Sequence, residues 1–406
     1  QWLGQEGGGV ARLDPKLLET AGDVDQSPAG APARFALFDA ATWFFRRAAA
    51  TAPILLVIDD LHGADLASIH LLRFLSRQIR GIPLVILATC RSVELHADSE
   101  TEALLDELRR HVTHLELGGL EAPELGAFVT HITGQPPAQT TVDALLQASG
   151  GNPLFLDGLV RALAIDDGFA RFERGAYAIP AGVRGAVERR LQSYAGVAKK
   201  VLAATAVIGR GCTPQLVARV SDVPLAEVSQ VLRKATSEGL MTSVVGTGRA
   251  HAFTHALIAE TIRRDLDMTA RLALHHRCAV ALEELYPGDE EHLAQLAHHY
   301  LEWAALGEVG KGIEYARRAA TWSINICAYE AAARYCERAI DAMDFGGRPQ
   351  GPVRCELLLE QGEALLLAGR RSAREQWVRA AAMARTLDRP DLFAQAALGV
   401  ERACVL

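Results

Sequence analysis

The sequence of 406 residues lacks most features that mark membrane, secreted or nucleic-acid-binding chains. It has no run approaching 18 apolar residues, so no membrane span is expected. Its start, QWLGQEGGGVARLD, has neither the basic nor the apolar region of a secretory signal. It also lacks an initiator methionine, so we expect a chain cut from something longer. The net charge of −7 argues against nucleic acid binding over the whole surface.

The seven cysteines exclude the usual metal and disulfide frameworks. No pair has C-x-x-C spacing, and the count is odd. Buried, reduced thiols in a cytoplasmic protein explain them better than disulfides or zinc. The length predicts two or three domains with ample cores.

The first part of the chain alternates helical patterns with short apolar runs. Strands are predicted in ILLVI at 54–58, IPLVILATCR at 82–91 and HVTHLELGGL at 111–120. This βαβ rhythm predicts a parallel sheet covered by helices on both faces. Helical patterns return in APELGAFVTHITG and TVDALLQASGG.

The second part is mostly helical. Short helices followed by LMTSVVG and RAHAFTHA, with a hairpin tip at Gly-Thr-Gly 246–248, match the plan of a winged-helix domain. Later helices of about 15 residues, separated by Gly and Pro breaks, predict stacked tetratricopeptide-like repeats. The predicted fold class is therefore α/β followed by mostly α. The expected divisions are a poorly structured segment (1–30), a partial α/β core (31–118), a helical lid (119–180), a winged-helix domain (181–267) and helical repeats (268–406).

Two adjacent acids, Asp59 and Asp60, directly follow the first apolar run. Two carboxylates are costly to bury unless something positive meets them. A magnesium ion with a nucleotide phosphate is one such partner. The alternative is that the acids only cap the following helix, where the macrodipole favours negative charge. The spacing alone does not separate these two interpretations.

The stretch DDLHGAD at 59–65 resembles the DDLHWAD signature of STAND-type, AAA+-like P-loop ATPases, as in large LuxR-type transcriptional regulators and cyclase-linked ATPases. Gly63 stands where that family usually has Trp. The resemblance implies ATP or ADP and Mg²⁺ as cofactors. It implies that Asp59 holds Mg²⁺ through a water molecule and that Asp60 polarises the attacking water.

Three further segments carry the same resemblance. In LATCRSVEL it implies that Thr89 or Arg91 faces the γ-phosphate, although Arg91 alone would more often be a surface or ion-pair residue. In SGGNPLFL it implies that Asn152 and Pro153 pack near the adenine, although the same residues suit a helix stop and restart. In HAFTHALIAETIRRDL it implies that His255 approaches the β-phosphate, where an ordinary buried histidine is the alternative.

The phosphate-binding motif G-x-x-x-x-G-K-[ST] is missing from the sequence. The nearest match, GEVGKGIEYA at 307–316, lies in the predicted helical array and has Gly where Ser or Thr belongs. We therefore expect an incomplete ATPase core whose P-loop was lost from the amino-terminal side. The chain alone would then be inactive, while its parent would be a slow ATPase.

Three functions compete for this pattern. The first is an ATP-binding regulatory switch whose repeats sense a small-molecule or protein inducer, with possible self-association and with DNA reached only through a domain outside this chain. The second is a non-catalytic interaction scaffold. The third is DNA binding by the winged helix, which is the weakest because PLAEVSQVLRKATSEG has only two basic residues against two acidic ones.

Overall fold

The chain forms two compact units, Gln1–His114 with Gly288–Leu406 and Leu115–Pro287. The computed structural model describes residues 31–90, 99–153, 156–157, 160, 188, 191–209, 212–244, 250–254, 256–305, 309–345 and 351–404. The predicted amino-terminal segment and the predicted hairpin tip lie outside these ranges. None of the described helices combines the length and apolar character needed to cross a membrane.

The first unit opens with a small α/β layer. Its elements are α1 (Ala31–Ala49), β1 (Ile54–Ile58), α2 (Leu66–Gln78), β2 (Leu84–Ala88) and α3 (Ser99–Arg109). The two strands pair in parallel, with Ile58 opposite Ala88. Helix α2 is amphipathic, since buried leucines and an isoleucine recur every three residues at 66, 69, 72 and 75. The parallel pairing of β1 with β2 confirms the pairing predicted for the first two strands.

Within the described ranges, the β1–β2 sheet is covered by helices on one face. Its covered face packs on a cluster made of α2, α3 and the turn after β1: Leu61, Leu66, Ile69, Leu72, Leu104, Leu105 and Leu108. Alternate strand residues point to opposite faces. The other face is apolar and exposed: Leu55 63%, Val57 57%, Val85 61% and Leu87 50%. The prediction of helices on both faces is thus wrong for the described residues.

The third predicted strand does not form. Residues 113–120 have no regular secondary structure, and Leu115 and Leu117 are 75% and 91% exposed. A strand needs a neighbour for its backbone N–H and C=O groups. No strand in the described part of the chain pairs with this segment, so its alternating pattern finds no sheet to join.

The second unit contains two helical groups and a hairpin. Its elements are α4 (Ala122–Thr133), α5 (Gln139–Ser149), α6 (Val197–Ile208), α7 (Pro214–Ser221), α8 (Leu225–Ser237), β3 (Met241–Val244), β4 (Ala250–Phe253), α9 (Ala256–Arg264) and α10 (Met268–Leu285). Helices α4 and α5 share a buried core that includes Leu125 and Leu145. Strands β3 and β4 pair antiparallel, as the sequence predicts.

The rest of the first unit is a stack of helices in which each packs on the next. They are α11 (Leu293–Trp303), α12 (Val309–Asn325), α13 (Tyr329–Phe345), α14 (Gly351–Leu367), α15 (Ala373–Thr386) and α16 (Pro390–Ala403). Trp377 of α15 fits between two neighbours because Gly362 and Gly399 leave room for its ring, which a Cβ at either position would meet within 2.6 Å. This arrangement agrees with the predicted helical repeats.

Candidate functional site

The two acids lie in a tight turn at the carboxyl end of β1. Asp59 follows the strand directly and is exposed, whereas Asp60 is half-buried. Asp60 adopts the left-handed conformation, with φ 56° and ψ 48°. Non-glycine residues rarely adopt this conformation, although Asp tolerates it better than most. The chain therefore leaves the regular strand conformation straight after β1, at two adjacent acidic residues.

Thr89, the residue after β2, holds this turn in place. Its backbone N–H donates to the Ile58 carbonyl at 2.9 Å, and its carbonyl accepts from the Leu61 N–H at 2.8 Å. Its hydroxyl donates to Asp59 Oδ1 at 2.6 Å and accepts from the Asp60 N–H at 2.9 Å. The single hydroxyl proton is thus given to Asp59. The structure thus brings together Asp59, Asp60 and Thr89, three of the residues that the resemblance selects, and their roles toward a nucleotide stay predictions.

The alternative in which these acids cap the next helix is wrong. The N-cap of α2 is Asp65, whose carboxylate accepts from the Ser68 N–H at 3.0 Å and from the Ser68 hydroxyl at 2.7 Å. Asp60 precedes only a short 3-10 turn, Leu61–Gly63, and makes no side-chain capping bond to it. Helix capping therefore does not explain the pair of carboxylates.

The carboxylate oxygens at this turn are of the type that binds a hard divalent cation. Carboxylate oxygens are the ligands that Mg²⁺ prefers, and it usually takes one or two of them together with water. No described Lys or Arg forms an ion pair with Asp59. Gly63, the departure from the usual Trp, is exposed and has nothing within 4 Å of an added Cβ. A side chain at this position would therefore begin in open space.

Asn152 and Pro153 belong to a separate local site in the second unit. Gly150 ends α5 in the left-handed conformation, and its N–H donates to the Leu146 carbonyl at 2.8 Å. The carbonyl of Asn152 accepts from the Leu156 N–H at 3.0 Å, and Pro153 lies in helical conformation. The segment is thus a helix stop and restart, and the side chains of Asn152 and Pro153 are exposed. Their predicted contact with adenine stays a prediction.

A close backbone approach explains the glycines of this second site. The Gly151 carbonyl accepts from the Leu120 N–H at 2.7 Å. A Cβ on Gly151 would lie 2.5 Å from the Leu120 carbonyl oxygen, and one on Gly119 would lie 2.6 Å from the Gly150 oxygen. The double-glycine turn is therefore bound edge to edge against the segment that leads into α4.

Two predicted site residues, Arg91 and His255, lie outside the described residues, and their roles stay predictions. The false P-loop match is accounted for by its place in a helix. Lys311 lies on α12 and contacts Tyr300, with 3.3 Å from Nζ to the phenolic oxygen and 5.2 Å to the ring centre. This lysine therefore takes part in helix packing.

The repeats carry an open cleft of about 470 Å³ between α12 and α14, lined by Gly310, Ile313, Glu314, Arg317, Arg318 and Val353. Arg317 spans it by pairing with Glu356 at 3.1 Å and with Glu360. These hydrogen bonds, those to Glu360 above all, raise the pKa of the guanidinium. Sequence reasoning placed an inducer on the repeats but had no motif that pointed to this cleft.

A buried ion pair between the α/β layer and the repeats was also missed. Arg34 of α1 and Glu330 of α13 form two hydrogen bonds, at 3.0 and 2.7 Å. Their side chains are 15% and 7% exposed. The two residues are 296 positions apart, so no local pattern could have linked them.

The comparisons with known proteins give a distant and partial likeness. No protein-family model matches the chain. An uncharacterized protein of Rhizobium meliloti (strain 1021) is 27% identical over a match of 243 residues. The match covers 57% of this chain and 22% of that protein. The chain thus spans about a fifth of that relative's length. A solved structure with a similar outline is the STAND protein with a tetratricopeptide repeat sensor from Pyrococcus horikoshii. It has 13% identity and a TM-score of 0.40, covering 91% of this chain and 67% of that one.

Proposed function

We propose that this chain is the ATP-responsive regulatory part of a larger signalling or transcriptional regulator of the STAND type. The observation that carries the proposal is the pair of adjacent aspartates at the carboxyl end of a parallel strand, where Thr89 holds the Asp59 carboxylate and the Asp60 backbone N–H. Ligands of open α/β sheets bind outside the carboxyl ends of the strands. Helix capping, the competing use for these acids, is performed by Asp65.

Each residue of the turn has a role in this proposal. Asp59 would hold Mg²⁺ through a water molecule, and Asp60 would act on the water that attacks a nucleotide phosphate. Thr89 fixes the direction of the Asp59 carboxylate by donating its hydroxyl proton. Bound Mg²⁺ supplies neutralisation of phosphate charge. Slow hydrolysis resets a switch whose two states bind the nucleotide with different affinity.

The P-loop of the proposed site is supplied by other residues of a longer protein. Support comes from the uncovered face of the β1–β2 sheet, because parallel sheets are normally buried on both faces. Further strands and helices of an ATPase core are the natural cover for it. The greater length of the Rhizobium meliloti relative is in line with a larger protein.

The helical repeats are the sensor in this proposal. A small-molecule or protein inducer binds there, and the open cleft between α12 and α14 is a candidate place for it. Any contact with DNA is made by a domain outside this chain, and nucleotide-driven self-association is a further expectation. The second candidate is a non-catalytic scaffold, which the same cleft and the stack of repeats favour.

Nucleotide binding tests the proposal. The chain and a polypeptide extended upstream to include a P-loop are titrated with ATP and Mg²⁺. We expect binding and slow turnover in the extended protein only. Asp59→Ala is expected to abolish Mg²⁺-dependent turnover, and Asp60→Asn to slow hydrolysis while sparing binding. Asp39→Asn, at an exposed position of α1, is the matched control. Equal turnover in all four proteins would remove the assignment, and absence of ATP binding to the extended protein would favour the scaffold.

A further inference from the structure

The α/β layer and the repeats belong to one compact unit, and their contact centres on Arg34. On the repeats, the contact is made by residues 327–330, which run from the loop after α12 into the first turn of α13. We call these four residues the repeat corner. Arg34 makes two hydrogen bonds to Glu330 and a third to the Cys327 carbonyl at 3.2 Å. Its guanidinium carbon also lies 4.8 Å from the centre of the Tyr329 ring. One arginine thus contacts three of the four residues of the corner.

Apolar packing surrounds this ion pair. Ala33 and Leu37 of α1 are each 4% exposed and pack on Cys327 and Tyr329, which are 3% and 1% exposed. The corner itself is sharply bent, since Cys327 has a φ of 60°. Burial of this kind removes the pair from water, so each charge depends on the other. Arg34 Nε is buried and has no hydrogen-bond partner in the described part of the chain. One donor of the guanidinium therefore remains unsatisfied at this contact.

Helix α2 lies on the same part of the repeats. It packs against α13, and two titratable groups report the contact. Burial raises the pKa of Tyr335 on α13, and the charge of Asp65, the cap of α2, adds to that rise. Burial lowers the pKa of His70 on α2, and the nearby Glu330 carboxylate opposes this shift. The helix that starts straight after the acid turn therefore follows α13 to the repeat corner.

We propose that the packing of α1 and α2 on the repeat corner is a coupling joint through which the helical repeats and the Asp59–Asp60 turn change conformation together. Its physical basis is continuity. The turn leads through Leu61, which packs with Leu66 and Ile69 in the same buried cluster, into α2 and so to α13. The use of this joint as a regulatory contact rests on the proposed function, whereas the coupling itself needs no nucleotide.

Amide hydrogen exchange in the chain without nucleotide tests the coupling. Arg34→Leu leaves the Glu330 carboxylate without its arginine, and Glu330→Leu leaves the Arg34 guanidinium without its carboxylate. The double leucine variant replaces the ion pair by apolar packing. We expect exchange in residues 59–68 to be faster by about tenfold in each single variant and close to the original rate in the double variant. Glu330→Gln is the milder second variant, for use if a leucine variant fails to fold. Arg47→Gln, at an exposed position of the same helix, is the control and should change nothing.

The outcomes separate this inference from the proposed function. Faster exchange confined to α1 and the repeat corner, with residues 59–68 unchanged, would overturn the joint even if the extended protein binds ATP. Faster exchange in residues 59–68 supports it even if ATP does not bind. In that case the repeats and the acid turn are coupled for a purpose other than nucleotide control.

Discussion

The double-glycine turn of the second unit offers a matched pair of substitutions. Gly150 and Gly151 both have positive φ, at 58° and 74°. An added Cβ on Gly150 meets nothing within 4 Å, whereas one on Gly151 lies 2.5 Å from the Leu120 oxygen and 2.9 Å from the Leu120 nitrogen. Alanine at both positions therefore brings similar backbone strain, and only Gly151→Ala adds a collision with main-chain atoms.

The expected magnitudes follow from these two terms. A non-glycine residue in the left-handed region costs about 1 to 2 kcal/mol. Gly150→Ala should lower the free energy of unfolding of the α4–α5 core by that amount alone. Gly151→Ala should lower it by about 1 to 3 kcal/mol more, the usual cost of forcing atoms into filled space. The added cost arises because the Leu120–Gly151 hydrogen bond has to lengthen.

The assay is amide exchange of the buried core residues Leu125, Val129 and Leu145, because it reports the opening of this core separately from the rest of the chain. We expect exchange of these amides to be clearly faster in Gly151→Ala than in Gly150→Ala. Gln147→Ala, at an exposed position of α5, should leave it unchanged. Equal effects of the two alanine substitutions would refute the reasoning that close backbone approach, and not left-handed geometry alone, selects Gly151.

Three further predictions concern the first unit. Gly399→Ala should destabilise the repeats by about 1 to 3 kcal/mol because its Cβ would enter the indole between α14 and α16, whereas Gly310→Ala, with open space around it, should not; thermal unfolding of both variants checks this. Burial holds the pKa of His70 below its ordinary 6.5, so the unfolded state binds a proton more readily than the folded state. The free energy of unfolding therefore falls as the pH drops below about 6.5. His70→Gln should flatten this pH dependence in melting curves recorded between pH 7.5 and 5.5. Val57→Thr, on the uncovered sheet face, should change the free energy of unfolding by less than about 0.5 kcal/mol, whereas Leu72→Ala on the covered face should lower it by about 2 to 5 kcal/mol in urea titration.

Local patterns carried the parts of the fold that depend on neighbouring residues. The apolar runs at 54–58 and 82–91 predicted two strands, which form at Ile54–Ile58 and Leu84–Ala88 and pair in parallel. The apolar pattern at 64–81 predicted the helix α2, whose buried residues recur every three positions. The contact of Thr89 with Asp59 was not predicted, although the resemblance selected both residues.

Contacts that depend on distant residues were not foreseeable. Nothing near residue 115 in the sequence reveals that its predicted strand lacks a partner, since pairing is decided elsewhere in the chain. The Arg34–Glu330 pair joins residues 296 positions apart, and an arginine on a helix is usually a solvated one. Asp65 is the last residue of the DDLHGAD stretch, and its role as the N-cap of α2 becomes clear only from the first residue of that helix.

The capping by Asp65 changes the weight of the two acids before it. A single carboxylate meets the first-turn N–H groups of α2, and it does so from the position directly before the helix. Thr89 holds the Asp59 carboxylate through its hydroxyl proton and the Asp60 backbone through its hydroxyl oxygen, in a turn whose second residue has left-handed geometry. Such backbone geometry costs free energy and clusters at functional sites. The proposal of a cation at this turn therefore rests on a held carboxylate and a strained backbone that the capping of α2 does not require.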